Sequence, residues 1–190
     1  MAATHPIPAP DEAPDDALMR RVAARDGAAF RALVARHAAL PHRIAWRMLG
    51  EAAEAEDVAQ DALLRLWQHA PRWRGDGPGV AAWLTRVATN LCLDRLRRRR
   101  PLPVEDVPER VDDAPLADAV LEAGEDLARV RRALDCLSER QRAAIVLTHY
   151  EELPNAEAAL VLDMNIKAFE SLLLRARRSL RSLLLEDVDA

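Results

Sequence analysis

Glycine is scarce in this chain, six in 190 residues, and alanine, leucine and arginine fill the space instead. Those are helix formers, so helix is favoured over sheet. Two cysteines, Cys92 and Cys136, stand apart inside helical patterns. Their spacing excludes a disulfide framework and a metal knuckle. The histidines (His5, His37, His42, His69 and His149) form no ligand motif, and no constellation supports a hydrolase or a metal enzyme; no cofactor is expected. No apolar run approaches the roughly 18–20 residues of a membrane span, so no membrane contact of its own is expected. The opening "MAATHPIPAPDEAPDD" lacks the basic end and apolar stretch of a signal peptide and reads as a disordered leader over 1–14. A cytoplasmic protein is expected. Lysine is nearly absent too: Lys167 stands alone among 27 basic residues, as GC-rich coding would also produce.

What is present is helical periodicity in abundance, with 50% hydrophobic residues to build a core. Asp15 and Asp16 suit a helix N-terminus, and a first helix is expected over Ala17–Arg25 with "DG" at Asp26-Gly27 breaking it. A second runs from Ala28, interrupted or kinked at Pro41, to Gly50 as C-cap. "EAAEAEDVAQDALLRLWQHA" is a strong helix stopped by Pro71. Its stripe of Ala55, Val58, Ala59, Ala62, Leu63 and Leu66 is a core face. The opposite stripe, Asp57, Gln60, Asp61, Leu64, Trp67 and Gln68, sets Leu64 and Trp67 among carboxylates, which fits either a partner surface or packing on a neighbouring helix.

"RWRGDGPG", residues 72–79, is a loop with three glycines. A helix from Val80 to about Arg99 follows, with Val80, Trp83, Leu84, Val87 and Leu91 toward a core and Arg86, Thr89, Asn90, Arg97 and Arg100 opposite. Prolines and acids then form a linker over 101–115. Helix resumes near Leu116 and reaches Leu137, and "SERQ" opens another with a capping box at Ser138. A short helix over Asn155–Leu162, a turn at Asp163-Met164, and a long helix capped by Asn165 complete the chain. The expected fold is all-α: two small helical domains, 15–100 and 116–186, joined by an acidic flexible linker.

The last two helices have the layout of a helix-turn-helix. In the final one Ile166, Phe169, Leu172, Leu173, Ala176, Leu180 and Leu183 line an apolar face, and Lys167, Glu170, Ser171, Leu174, Arg178 and Arg181 the other. Charge is partitioned sharply although the whole chain carries only −4. Arg86, Arg95 and Arg97 to Arg100 against Asp94 leave +5 over residues 86–100, and residues 166–182 carry +4. Residues 101–126 carry −8. Two basic faces attract phosphate through counterion release while the acidic tether stays off the duplex. A helix dipole would favour one or two cations at its C-terminus, at about 0.3–1 kcal/mol; six need another reason. Residues 101–115, extended, span up to roughly 50 Å and the next helix adds some 30 Å, enough for the about 70 Å of two duplex turns.

With these motifs in view, "DGAAFRALVARH", "EAEDVAQDALLRLW", "AAWLTRVATNLCLDRLRRRR" and "LSERQRAAIVLTHYEELPNAEAALVLDMNIKAFESLLLRARRSL" resemble a bacterial RNA polymerase sigma factor of the extracytoplasmic-function type. The likeness covers about residues 15–185, in order. It implies a sigma region 2 domain over 15–100 and a region 4 domain over 116–186. In that family the helix bearing "AEDVAQDALLRLW" docks on the clamp helices of the polymerase's largest subunit, which implies that role for Asp57, Gln60, Asp61, Leu64 and Trp67. The "WRGDGPG" loop and the following helix capture an unstacked base and the non-template strand of the −10 element, which implies Arg74, Asp76, Arg86, Asn90 and Arg97. The last helix reads the −35 element, which implies Lys167, Glu170 and Ser171 at base edges with Arg175 and Arg178 on phosphates.

The implied partners are core RNA polymerase, promoter DNA and an anti-sigma factor, and the implied function is promoter selection and opening without catalysis of its own. Departures stand beside the likeness. Val80 and Thr85 occupy positions often aromatic in the family, Glu170 one often basic, Leu172 one often arginine, and Asp163 one often glycine. A sigma-like module that titrates an anti-sigma factor without binding promoters, and a stand-alone helix-turn-helix regulator, are the alternative readings. Glu170 and the missing aromatics favour the first of these; the second leaves the N-terminal domain without a task.

Overall fold

The computed structural model describes residues 13–99 and 125–186, and every described element is helical. The chain divides into two compact units, Met1–Asn90 and Leu91–Ala190. Most of the leader, Arg100, the linker over 101–115 and the expected helix start at Leu116 lie outside the described residues.

In the first unit α1 spans Asp15–Ala23, α2 Gly27–His37, α3 Ala39–Leu49 and α4 Ala52–His69. A 3₁₀ turn over Ala70–Arg72 follows, and α5, Gly79–Arg99, begins here. Gly27 opens α2 and does not break α1, contrary to expectation. The break is made one step earlier, where Arg25 turns left-handed at φ 66°. The Arg25 N–H then bonds Val22 O at 2.8 Å and the Asp26 N–H bonds Arg21 O at 3.1 Å, a Schellman closure. Asp26 at once caps α2, accepting from Ala28 N at 2.8 Å and Ala29 N at 3.2 Å, while Arg21 Nη2 stands 2.8 Å from its carboxylate. The Ala29 N–H and the Arg21 guanidinium, the two largest influences, hold the Asp26 carboxyl below its ordinary value.

Pro41 acts three residues upstream of itself. It sits buried in the first turn of α3, and the chain parts at Ala38. Proline has no N–H for the His37 carbonyl four residues back and its ring crowds that carbonyl, so α2 must end there. Gly50 closes α3 at φ 85°, with its N–H on Trp46 O at 3.0 Å. The α4 stripe of Ala55, Val58, Ala59, Ala62 and Leu66 is buried as the periodicity predicts, with Leu63 half-buried at its edge. Its principal partner is α3, which contributes Ile44, Ala45, Met48 and Leu49. Asp15 fastens α1 to the end of α2, with Arg36 Nη1 at 2.9 Å and His37 Nε2 at 2.7 Å.

α5 buries more than its apolar stripe. Thr89, expected on the solvent side, is fully buried, as are Thr85 and Cys92. These three residues share a second stripe beside Leu84, Ala88 and Leu91. Thr85 meets the cost of burial by bonding back to the preceding turn, its Oγ1 donating to Ala81 O at 3.0 Å, whereas the Thr89 hydroxyl is buried with no hydrogen-bond partner among the described residues.

The second unit holds α6 (Glu125–Cys136), α7 (Glu139–Ile145) prolonged as a π turn over Val146–Tyr150, α8 (Asn155–Val161) and α9 (Ile166–Glu186). The Ser138–Gln141 capping box is formed on both sides. α9 is the spine, packing on α6, α7 and α8 through Phe169, Leu172, Leu173 and Ala176. Ile166, expected in that core face, is exposed at the first position of α9. The Arg142 side chain is buried with Nη1 at 2.9 Å from Asp135 Oδ1 and Nη2 donating to Asp135 O at 2.8 Å. Burial lowers its pKa, and Asp135 opposes that shift.

Asp26 supplies a test of the α1–α2 junction. Its folded pKa lies below the ordinary 3.8, so its stabilisation is complete above the unfolded value and fades as pH falls through the folded one. Asp26→Ala should therefore lower the thermal midpoint at neutral pH. The gap between variant and parent should close below pH 3.8, as read by circular dichroism melts across pH.

Candidate nucleic-acid and partner surfaces

The outer stripe of α4 forms the first surface. Asp57, Gln60 and Asp61 are exposed, and Leu64 is 53% exposed in their midst. Trp67 differs from its neighbours. Its ring meets Phe30 edge-on at 5.0 Å, and the Arg25 guanidinium lies 5.6 Å from its centroid. Half-buried, it packs between α2 and α4 while its remaining surface adjoins the outer stripe, so packing on a neighbouring helix accounts for this side chain. Leu64 has no such duty.

A second surface is built where α4 runs out. The 3₁₀ turn and the loop beyond it enclose a recess of about 230 Å³, lined by His69, Trp73, Arg74, Asp76, Pro78 and Trp83. That is below the roughly 300–1,000 Å³ of drug-sized sites and is scaled to a single ring. Its wall is aromatic: His69 stacks on Trp83 at 5.2 Å and meets Trp73 edge-on at 6.2 Å. Arg74 and Asp76 are exposed at its mouth. Gly75 and Gly79 carry φ of 73° and 86°, a backbone that side chains rarely adopt, so the glycines shape the loop. Arg86 and Asn90 are exposed on α5. Arg97, further along the same helix, is exposed with Nη2 donating to Asp94 Oδ1 at 2.7 Å. An exposed pair of this kind contributes about 0–1 kcal/mol, so the guanidinium can exchange Asp94 for a phosphate.

Sequence periodicity missed Asp16, His69, Trp73 and Trp83 as parts of this region. Asp16 accepts from the Trp73 indole N–H at 2.8 Å, across 57 residues of chain. No spacing rule links residues so far apart; the aromatic cluster "W–RGDGPG–W" around the glycines was the one available signal. Val80 and Thr85 are buried and form no part of the exposed side of α5, where Arg86 and Asn90 stand.

The third surface belongs to α8 and α9. α8 ends in the same closure as α1: Asp163 at φ 54°, its N–H on Leu160 O at 3.3 Å, and the Met164 N–H on Ala159 O at 2.9 Å. Arg140 ties the turn to α7 by donating to Leu162 O at 2.9 Å. Asn165 caps α9 by accepting from Ala168 N at 2.8 Å. The helix so held exposes Lys167, Glu170, Ser171 and Arg175, with Arg178 half-exposed. Ser171 Oγ donates to Lys167 O at 3.0 Å and Arg175 Nε reaches Ser171 O at 3.4 Å, bonds within the helix that leave both side chains along its outer face. All five predicted residues thus lie on one helix in the geometry of a helix-turn-helix.

Residues 33–101 match Sigma-70 region 2, and residues 127–180 match Sigma-70, region 4. Over 176 residues the chain is 35% identical to the ECF RNA polymerase sigma factor SigM of Mycobacterium tuberculosis (strain ATCC 25618 / H37Rv), covering 91% of this chain and 86% of that relative. The chain belongs to the ECF RNA polymerase sigma factors. ECF sigma factor SigL of the same strain is 36% identical over 176 residues, which is 86% of this chain and 93% of the relative. SigE of Mycolicibacterium smegmatis is 34% identical over 160 residues, 80% of this chain; the chain spans 60% of that longer relative. Among solved structures, CnrH in complex with the cytosolic domain of CnrY aligns with TM-score 0.67 at 31% identity, over 93% of this chain and 99% of that one. The sigma factor RpoE in complex with the anti-sigma factor NepR from Bartonella quintana aligns with TM-score 0.62 at 25% identity, over 82% and 96%.

The two all-helical domains of this sigma factor are therefore those of regions 2 and 4, and it is a transcription initiation factor. Among the described residues, no helix is long and apolar enough to cross a membrane.

The turn of the helix-turn-helix carries a cost that can be removed. Aspartate at φ 54° crowds its own Cβ where glycine would not. Asp163→Gly should raise the stability of the second unit by about 0.5–1 kcal/mol, measured by denaturant unfolding. A loss of stability would mean the Asp163 side chain makes up for its conformation.

Proposed function

We propose that this chain binds core RNA polymerase through the outer stripe of α4, opens promoters with the loop over 72–79 and the exposed side of α5, and reads the −35 element with α9. The polymerase and −10 tasks belong to residues 15–100 and the −35 task to 116–186. The sigma factor acts in the cytoplasm with the polymerase, supplies no catalysis of its own and needs no cofactor. An anti-sigma factor holds it inactive, a reading supported by the relative that was solved with one.

The observation that carries this reading is the aromatic recess beside exposed arginines. Strand opening requires that an unstacked base have somewhere to go and that its backbone be held by cations. His69, Trp73 and Trp83 offer ring faces to such a base. Arg74, Arg86 and Arg97 are available to the strand, with Asn90 as a neutral donor and acceptor and Asp76 at the mouth to accept from a base amino group. In α9, Lys167 can donate to guanine O6 and N7, Glu170 can accept from cytosine N4, and Ser171 suits either. Arg175 and Arg178 hold phosphates and set the register without reading sequence. On α4, Leu64 is the apolar contact, Trp67 its rigid flank, and Asp57, Gln60 and Asp61 form the polar rim.

Leu64 separates binding from folding. Leu64→Ala should weaken core-polymerase binding by about 1–2 kcal/mol with a much smaller effect on the thermal midpoint, since more than half of its surface is already in water. Trp67→Ala should lower both binding and stability, because it also removes the Phe30 contact. Titration of labelled protein with core polymerase, beside melting curves, measures the two effects. Leu64→Ala that binds normally would detach this stripe from the polymerase.

Glu170 tests promoter reading itself. Glu170→Gln keeps the side-chain length and removes the charge, so holoenzyme should lose about 1–3 kcal/mol of preference at one −35 base pair while gaining general DNA affinity. Occupancy of all single −35 substitutions by both versions is the measurement. An unchanged preference profile with altered anti-sigma affinity would instead favour a titration module.

A further inference from the structure

We infer that Asp16, on the first turn of α1, is a positioning residue for the base-capturing loop: its carboxylate latches Trp73 and so holds the recess open. This rests on the reading of the loop over 72–79 as the place where an unstacked base is received.

Three observations converge on that carboxylate. The Trp73 indole N–H donates to Asp16 Oδ1 at 2.8 Å, fixing the ring that forms one wall. Gly75, two residues on, approaches so closely that a Cβ there would stand 3.3 Å from Asp16 Cγ. With its φ of 73°, the loop backbone is turned over the aspartate in a form that glycine alone adopts without strain. Asp16 is itself held in place from below. α1 packs on the 3₁₀ turn at Ala70–Arg72, and the neighbouring Asp15 is clamped by Arg36 and His37, with Arg36 Nη1 also donating to Ala13 O at 2.7 Å.

The consequence is mechanical. Three glycines within eight residues leave this loop with large conformational freedom, and a pocket that must be assembled for each base binds weakly. Trp73 meets His69 edge-on, and His69 stacks on Trp83. Anchoring one indole therefore orders the wall of three rings before any base arrives. Asp16 touches no base in this scheme; it acts through Trp73.

The test uses full-length protein assembled with core polymerase. A promoter selected by the parent holoenzyme from a randomised duplex library is offered as a pre-melted fork, with an intact base or an abasic site at each non-template −10 position. The parent should bind about tenfold or more weakly at one abasic position, the captured base. Asp16→Ala should bind the intact fork as weakly as the parent binds the abasic one, with unchanged affinity for core polymerase. Asp16→Asn loses the same charge but keeps an oxygen for the indole, and should capture the base as the parent does. Trp73→Phe removes the donor and keeps a ring, and adding Asp16→Ala to it should cause no further loss.

Undiminished base discrimination in Asp16→Ala would overturn the latch and leave the loop reading standing, as would equal losses in Asp16→Asn and Asp16→Ala, or additive losses with Trp73→Phe. A parent holoenzyme insensitive to every abasic position would overturn the base-capture reading, and the latch with it. Should Asp16→Ala unfold, Trp73→Phe set beside Asp16→Asn carries the same comparison.

Discussion

The first unit depends on how closely α3 and α4 approach. Ala55, Ala59 and Ala62 recur along the inner stripe of α4, and Ala45 lies among the buried residues of α3. Small side chains at a helix contact allow close approach, and Val58, Leu66, Ile44 and Met48 are buried beside them. An α4 so firmly seated can leave its other face in water, which is how Leu64 comes to stand exposed among acids. It also fixes where α4 ends, and the 3₁₀ turn, the aromatic wall and the glycine loop all start from that end.

Left-handed residues do the comparable work at the junctions. Arg25, Gly50 and Asp163 each close a helix so that the next begins within a few residues, and at two of the three the chain uses a residue other than glycine. The cost is tolerated because the closure satisfies orphan carbonyls twice over. A chain with six glycines spends three of them, Gly75, Gly77 and Gly79, in one loop. That concentration marks the segment whose backbone matters most, and two of the three have positive φ.

Much was legible in advance because helical periodicity reports directly on burial. The core stripes of α4 and α9, the Ser138 capping box, the Gly50 cap and the exposure of Lys167, Glu170, Ser171 and Arg175 all follow from local rules. The failures have equally local reasons. Thr89 reads as a solvent residue because threonine counts as polar, yet its small side chain is buried, with no hydrogen-bond partner for the hydroxyl among the described residues. Ile166 reads as core because it is apolar and on the right stripe, yet it is the first residue of α9 and stands exposed. Pro41 is expected to interrupt or kink the segment, and the interruption falls before it because the carbonyl it offends lies four residues earlier.

Sequence by itself determined the two helical domains, the charge partition and the family, since each is a property of order and spacing along one chain. It also determined which polar faces stand exposed: acids with Leu64 on α4, arginines on α5 and α9. Tertiary structure alone decided the shape of the recess. The Asp16–Trp73 hydrogen bond, the His69–Trp83 stack and the Phe30–Trp67 contact join residues from separate helices and loops. Such pairs are selected by the angle and distance at which helices pack, and no periodicity within a single segment encodes those.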